Sequence, residues 1–135
     1  MNRIYLFAIL LLINTSCRKS SKWEEIEGKN IKFGILNAIY FEDLNNGLIG
    51  SYTLEKNSKS ENYDHLEIKP LLYHTKDGGK DWTLLKFEKN IKGGVYNVFL
   101  SKDTIFCQID YDHSVLYKST DLGKSWNKLN STESK

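Results

Sequence analysis

From residue 35 onward the chain alternates short runs of β-branched and aromatic residues with clusters of Asn, Asp and Gly, and no stretch carries a helical period. The runs predict eight strands, near Ile35–Phe41, Gly47–Leu54, Leu71–Thr75, Trp82–Phe87, Val95–Leu100, Thr104–Ile109, Val115–Ser119 and Trp126–Leu129. The connections are mostly short. Asn45-Asn46-Gly47 and Asp77-Gly78-Gly79 read as hairpin turns, because Asn and Gly relieve the steric cost of positive φ. Lys102-Asp103 and Asp112-His113 read as further tight turns. Eight short strands joined by turns imply an antiparallel all-β domain. One connection differs: Glu55 to Glu67 is long, polar and almost without apolar residues, which predicts an exposed loop. Tyr63 and His65 on it are the candidate binding-loop residues.

An internal repeat sharpens the fold. Leu71–Leu85 (LLYHTKDGGKDWTLL) aligns without a gap on Val115–Leu129 (VLYKSTDLGKSWNKL). Leu72, Tyr73, Asp77, Gly79, Lys80, Trp82 and Leu85 find identical partners in Leu116, Tyr117, Asp121, Gly123, Lys124, Trp126 and Leu129. A period in the forties is the mark of propeller-type arrays with four strands per unit. Hairpin chemistry gives each residue a role. A strand ends at Thr75 or Ser119. Asp77 or Asp121 accepts hydrogen bonds that the turn would leave unmade. Gly78 is replaced by Leu122 whereas Gly79 is kept as Gly123, so the second position is expected to need positive φ. Trp82 or Trp126 opens the return strand and is expected to fold its ring over the turn.

These two stretches, Thr75-x-Asp77-x-Gly79-x-x-Trp82 and Ser119-x-Asp121-x-Gly123-x-x-Trp126, resemble the Asp-box, or BNR repeat, of bacterial sialidases, sortilin-type receptors and photosystem II assembly-factor propellers. Residues 39–50 are similar to the hairpin that starts blades in the assembly-factor group, with the glycine spacing one residue short. The resemblance implies four-stranded antiparallel blades, one over residues 35–87 and one over residues 95–129, within a domain of residues 31–130. Trp23 would mark the end of a degenerate preceding unit. A propeller closes with 4–8 blades. Two blades are therefore expected either to pack as a small two-sheet arrangement, to assemble several chains into a homo-oligomeric ring, or to be a shortened form of a longer propeller.

The N-terminus reads as an address. Arg3 precedes the apolar run Ile4 to Ile13, which is shorter than the roughly 20 residues a spanning helix needs and fits a signal-peptide core. Asn14-Thr15-Ser16-Cys17 resembles the lipobox of bacterial lipoproteins, with Asn14 where that pattern has an aliphatic residue. The resemblance implies a signal peptide over residues 1–16, lipidation of Cys17, a tether over residues 17–30 and attachment to a membrane in the cell envelope. Residues 131–135 read as a frayed tail. Cys107 then lacks an intrachain partner, and its strand-like context predicts a small buried hydrophobe.

Charge and chemistry narrow the function. Nineteen Lys+Arg against 17 Asp+Glu give a net charge of +2, too balanced for a nucleic-acid binder. Aromatics at 13% argue against disorder. The only arginines are Arg3 and Arg18, so the arginine clamp of sialidase catalysis has no counterpart here. His65, His74 and His113 are scattered, and Asp110-Tyr111-Asp112-His113 reads as a solvated turn, so neither a metal nor a cofactor is expected. The reading is a lipid-anchored, non-catalytic β domain that binds an envelope protein or a glycan. The alternative is a glycan-active hydrolase using carboxylates such as Glu42 and Asp43.

Overall fold

A computed structural model describes residues 25–31, 34–56 and 66–129. The signal-peptide and Cys17 readings, Trp23, the loop with Tyr63 and His65, and the tail from residue 130 lie outside the described residues. Eight strands form: β1 (Ile35–Phe41), β2 (Gly47–Lys56), β3 (Leu66–Thr75), β4 (Thr83–Leu85), β5 (Gly94–Ser101), β6 (Thr104–Asp110), β7 (Ser114–Ser119) and β8 (Asn127–Leu129). They make two four-stranded antiparallel meanders, β1-β2-β3-β4 and β5-β6-β7-β8. The fold is all-β, built from two propeller-type blades.

The two sheets pack face to face, and strand alternation decides what meets. Tyr40, Leu48, Leu72 and Leu85 lie on one face of the first sheet. They pack against Val95, Val98, Leu100, Ile105, Cys107, Ile109 and Tyr117 of the second. Leu48, Leu72, Val95 and Ile105 have no exposed surface, and each such side chain contributes about 1.5–3 kcal/mol on burial. Cys107 belongs to this core, 1% exposed, and burial pushes its thiol up to about 12. Gly50 permits a close approach of the sheets: a Cβ there would lie 2.7 Å from Val95 Cγ1. A smaller cluster of Ile49, Tyr73 and Trp82 sits on the opposite face of the first sheet, covered in part by Ile31.

The duplication runs deeper than the motif. Thr75 pairs with Gly47, and its counterpart Ser119 pairs with Ile105. Counting back along β1 and β5 from these pairs sets Tyr40 against Phe99, Ile39 against Val98 and Leu36 against Val95. Both first strands then carry a bulge at the matching step, Leu36/Ala38 and Val95/Asn97. A bulge kept at the same place in both copies bends both strands alike.

Four expectations change. The polar connection is shorter than residues 55–67, because β2 runs to Lys56 and β3 begins at Leu66. The backbone ladder continues through that extension, and charged side chains accompany it: Lys69 pairs diagonally with Glu55, and Lys92 reaches Glu67 at 2.9 Å. Gly47 is the first residue of β2 and not part of the turn. A Cβ there would fall 2.6 Å from the Phe41 ring, so close packing and not φ requires glycine. The turn itself is held by Asp43, whose Oδ1 accepts from the backbone N–H groups of Asn45 (2.7 Å) and Asn46 (2.8 Å). The return strands start one residue after each tryptophan, which stays in the corner. Finally, residues 111–113 form a three-residue connection between β6 and β7 in place of a two-residue turn.

Candidate functional site

The residues singled out from the repeat meet in two matching corners between β3 and β4 and between β7 and β8. At the first, the buried Thr75 hydroxyl donates to Asp77 Oδ1 (2.9 Å) and accepts from the Gly79 N–H (2.9 Å). Asp77 Oδ1 also accepts from the Asp81 N–H (2.9 Å). At the second, the Ser119 hydroxyl donates to Asp121 Oδ1 (2.7 Å) and accepts from the Gly123 N–H (2.8 Å). Asp121 Oδ1 accepts from the N–H groups of Lys124 (3.1 Å) and Ser125 (2.9 Å), and Oδ2 accepts from the Ser125 hydroxyl (2.7 Å). Each corner thus closes its own unpaired amides, as the obligatory hydrogen bonding of buried backbone requires.

These bonds favour the ionised acids. The Asp81 N–H and then the Thr75 hydroxyl hold Asp77 below the usual carboxylate range. The Ser125 hydroxyl and N–H, followed by the Ser119 hydroxyl, bring Asp121 down to about 2. Both corners sit on a pair of left-handed residues: Gly78 (φ 72°) and Gly79 (φ 94°), Leu122 (φ 55°) and Gly123 (φ 80°). The expectation that only the second position needs positive φ is therefore corrected. Leu122 adopts the left-handed region at a cost of about 1–2 kcal/mol, which its packing against the intersheet core offsets.

The two tryptophans differ. The Trp82 ring is buried, donates from Nε1 to the Gly79 carbonyl (2.8 Å) and meets Phe41 edge-on, as expected of a ring folded over its own turn. Trp126 is half-buried and corrects that expectation: Nε1 donates across the sheets to the Lys86 carbonyl (3.2 Å), and the ring packs on Phe87 with centroids 4.8 Å apart. A feature that sequence reasoning missed lies upstream. Lys29 forms a parallel bridge with Asp81, its N–H donates to the Lys80 carbonyl (2.9 Å), and its own carbonyl accepts from the Trp82 N–H (3.2 Å). Asn30 adds a bond to Asp81 Oδ1 (2.7 Å). Gly28 lies against the Trp82 ring as Phe87 lies against Trp126. Each corner is thus clamped by the segment that leads into its own blade, and only the reading of Trp23 as the end of a preceding unit hinted at it.

The remaining candidates do not converge. Glu42 Oε1 accepts from the Lys102 N–H (2.9 Å), tying one hairpin to the next, while Asp43 is held low by the Asn46 side chain and the turn amides. His113 is exposed in the β6–β7 connection. Asp110 accepts from Gln108 Nε2 at 2.9 and 3.2 Å. No three His, Cys, Asp or Glu side chains gather to hold a metal among the described residues. His74 is 6% exposed, and its Nε2 has no hydrogen-bond partner among the described residues. Burial, with Lys76 nearby, lowers its pKa.

That histidine makes stability depend on pH. Its folded pKa lies below the unfolded value of about 6.5, so the unfolded chain takes up the proton first. Stability is full above pH 6.5 and falls as the pH drops below it, at no more than about 1.4 kcal/mol per pH unit. A second loss belongs to Asp77 and Asp121, whose lowered values stabilise the fold above the ordinary carboxylate pKa and cease to do so as pH falls toward 2. Urea midpoints between pH 8 and pH 5 check the first part, and His74→Leu is expected to flatten that limb alone.

No protein-family model and no curated protein matches the chain. Among solved structures, "YCF48 bound to D1 peptide" is similar to it with a TM-score of 0.44 and 18% sequence identity. The likeness covers 70% of this chain and 39% of that one, so the chain spans well under half of that structure's length.

Proposed function

We propose that this is a lipid-anchored protein of the bacterial cell envelope, whose Asp-box β domain binds a partner and performs no catalysis. The anchor reading rests on Arg3, the apolar run and Asn14-Thr15-Ser16-Cys17. One observation carries the non-catalytic reading: the carboxylates that a hydrolase would draw on are occupied by their own turns. Asp77 and Asp121 serve the corners, Glu42 joins two hairpins and Asp43 caps its loop. The hydrogen bonds to Asp43, Asp77 and Asp121 favour their ionised forms, which suits a scaffold and not a general acid. Binding then falls to exposed surface, where an envelope protein or a glycan is the fitting partner.

Two measurements test this. The mass of the protein extracted from membranes in detergent is expected to show cleavage before Cys17 plus acyl chains, and Cys17→Ala is expected to abolish both. An unmodified Cys17 in the processed protein would contradict the anchor. Incubation with a panel of envelope glycans is expected to give no product. Turnover that Glu42→Gln or Asp43→Asn abolishes would establish the hydrolase reading instead.

A further inference from the structure

The joint between the two sheets has two halves, and the repeat places a second copy of each half on the outside of the molecule. One half is the inward face of the first sheet, with Tyr40, Leu48, Leu72 and Leu85. Its counterparts in the second sheet are Phe99, Phe106, Leu116 and Leu129, on the opposite face of that sheet, although the Phe99 ring still meets Tyr40 with centroids 5.1 Å apart. Phe99 is 47% exposed and Leu116 42%. The other half is the inward face of the second sheet, with Val95, Val98, Cys107 and Tyr117. Its counterparts in the first sheet are Leu36, Ile39, Ile49 and Tyr73. Leu36 is 52% exposed and Ile39 63%, with Leu84 beside them at 42%. Ile49 and Tyr73 are already buried beneath Trp82, and Ser51 stands where Ile109 stands, so the apolar surface left open on this face is that of Leu36, Ile39 and Leu84. A sheet face left in water ordinarily turns polar.

We propose that these two open faces bind one another between copies of this chain, so that the second sheet of one copy packs on the first sheet of the next as the sheets already pack within a chain. Such a contact is head-to-tail, and it closes into a ring when the rotation between blades allows. Two blades per chain and 4–8 blades per closed propeller give rings of about two to four copies.

Two further observations favour a second copy as the occupant. The first corner already carries its clamp, residues 28–31, in the place that residues 86–91 take at the internal joint. The charges are also complementary: Glu25, Glu27, Asp77 and Asp81 outnumber Lys29 and Lys80 beside the first corner, and Lys118 and Lys124 lie at the second, which would come next to it. Asn97 and Gln108 stand where Ala38 and Gly50 stand internally. Their amides bond each other (2.9 Å) and so enter the joint satisfied, but their bulk holds it wider than the internal one. The association is accordingly weaker than the packing inside the chain. It requires neither the anchor nor an envelope partner, and its outcome is read separately from theirs.

The test uses the chain from residue 17 with Cys17→Ser, and the mass is followed by light scattering across a concentration series. The wild type is expected to grow to a defined multiple of the monomer mass. Ile39→Asp and Leu116→Asp are each expected to hold the chain as a monomer with an unchanged circular-dichroism spectrum. Mixing these two variants is expected to give a 1:1 dimer and nothing larger, because each supplies the face that the other lacks. If a variant misfolds, Leu84→Lys and Leu129→Lys test the same two faces. A wild type that stays monomeric at the highest concentration, or an oligomer that both variants leave intact, overturns the proposal. So does a mixture of monomeric variants that does not pair.

Discussion

Leu72→Ala is expected to lower the unfolding free energy by about 2–5 kcal/mol, whereas the matching change Leu116→Ala is expected to cost less than about 1 kcal/mol at low protein concentration. The two leucines are identical in the repeat and occupy the same place on their strands. Their surroundings differ completely. Leu72 has no exposed surface, packed among Leu48, Val95 and Ile105, so truncation leaves a cavity between the sheets. Leu116 is 42% exposed, and solvent fills the space of a missing side chain. Chemical denaturation of both variants measures the difference. Equal losses would mean that the second sheet's outer face is covered in the monomer.

Trp82→Ala is expected to cost about 3–5 kcal/mol, and Trp126→Ala clearly less. Trp82 is 6% exposed. Its ring covers the corner, its N–H satisfies the Gly79 carbonyl, and the segment bearing Gly28 and Lys29 leans on it. Truncation opens a cavity, frees a buried carbonyl and loosens that clamp together. Trp126 is only half-buried and shares its role with Phe87, so the second corner keeps an aromatic cover. The urea midpoints of the two variants decide this, with unchanged slopes showing that the unfolded state is not involved.

The strands and both corners were legible because their signals are local. Period-two alternation, a hydroxyl before an Asp, and a Trp three residues after a Gly each report on a few neighbouring residues. What escaped depends on distant partners. The extension of β2 and β3 is a backbone ladder accompanied by the pairs Lys69–Glu55 across the two strands and Lys92–Glu67 from the connection before β5, which a polar sequence does not disclose. Gly47 looks like a turn residue until the Phe41 ring is seen lying on it. Leu122 looks like proof that its position needs no positive φ, yet it carries a φ of 55° because core packing compensates. Trp126 turns from its own corner to Lys86 only because the first sheet ends beside it. Of the candidate site, the repeat revealed the hydroxyl–Asp–Gly–Trp set. The clamp by residues 28–31 carries no motif of its own.

Amide hydrogen exchange at Gly79 and Gly123 tests most directly whether the two corners are equivalent parts of one duplicated scaffold. Each N–H is buried and bound to a single hydroxyl oxygen, that of Thr75 or Ser119. Both are expected to exchange only through global unfolding, with matching protection that Thr75→Ala or Ser119→Ala removes at its own corner. Exchange of either glycine at the rate of an exposed turn amide would contradict the scaffold and the duplication together.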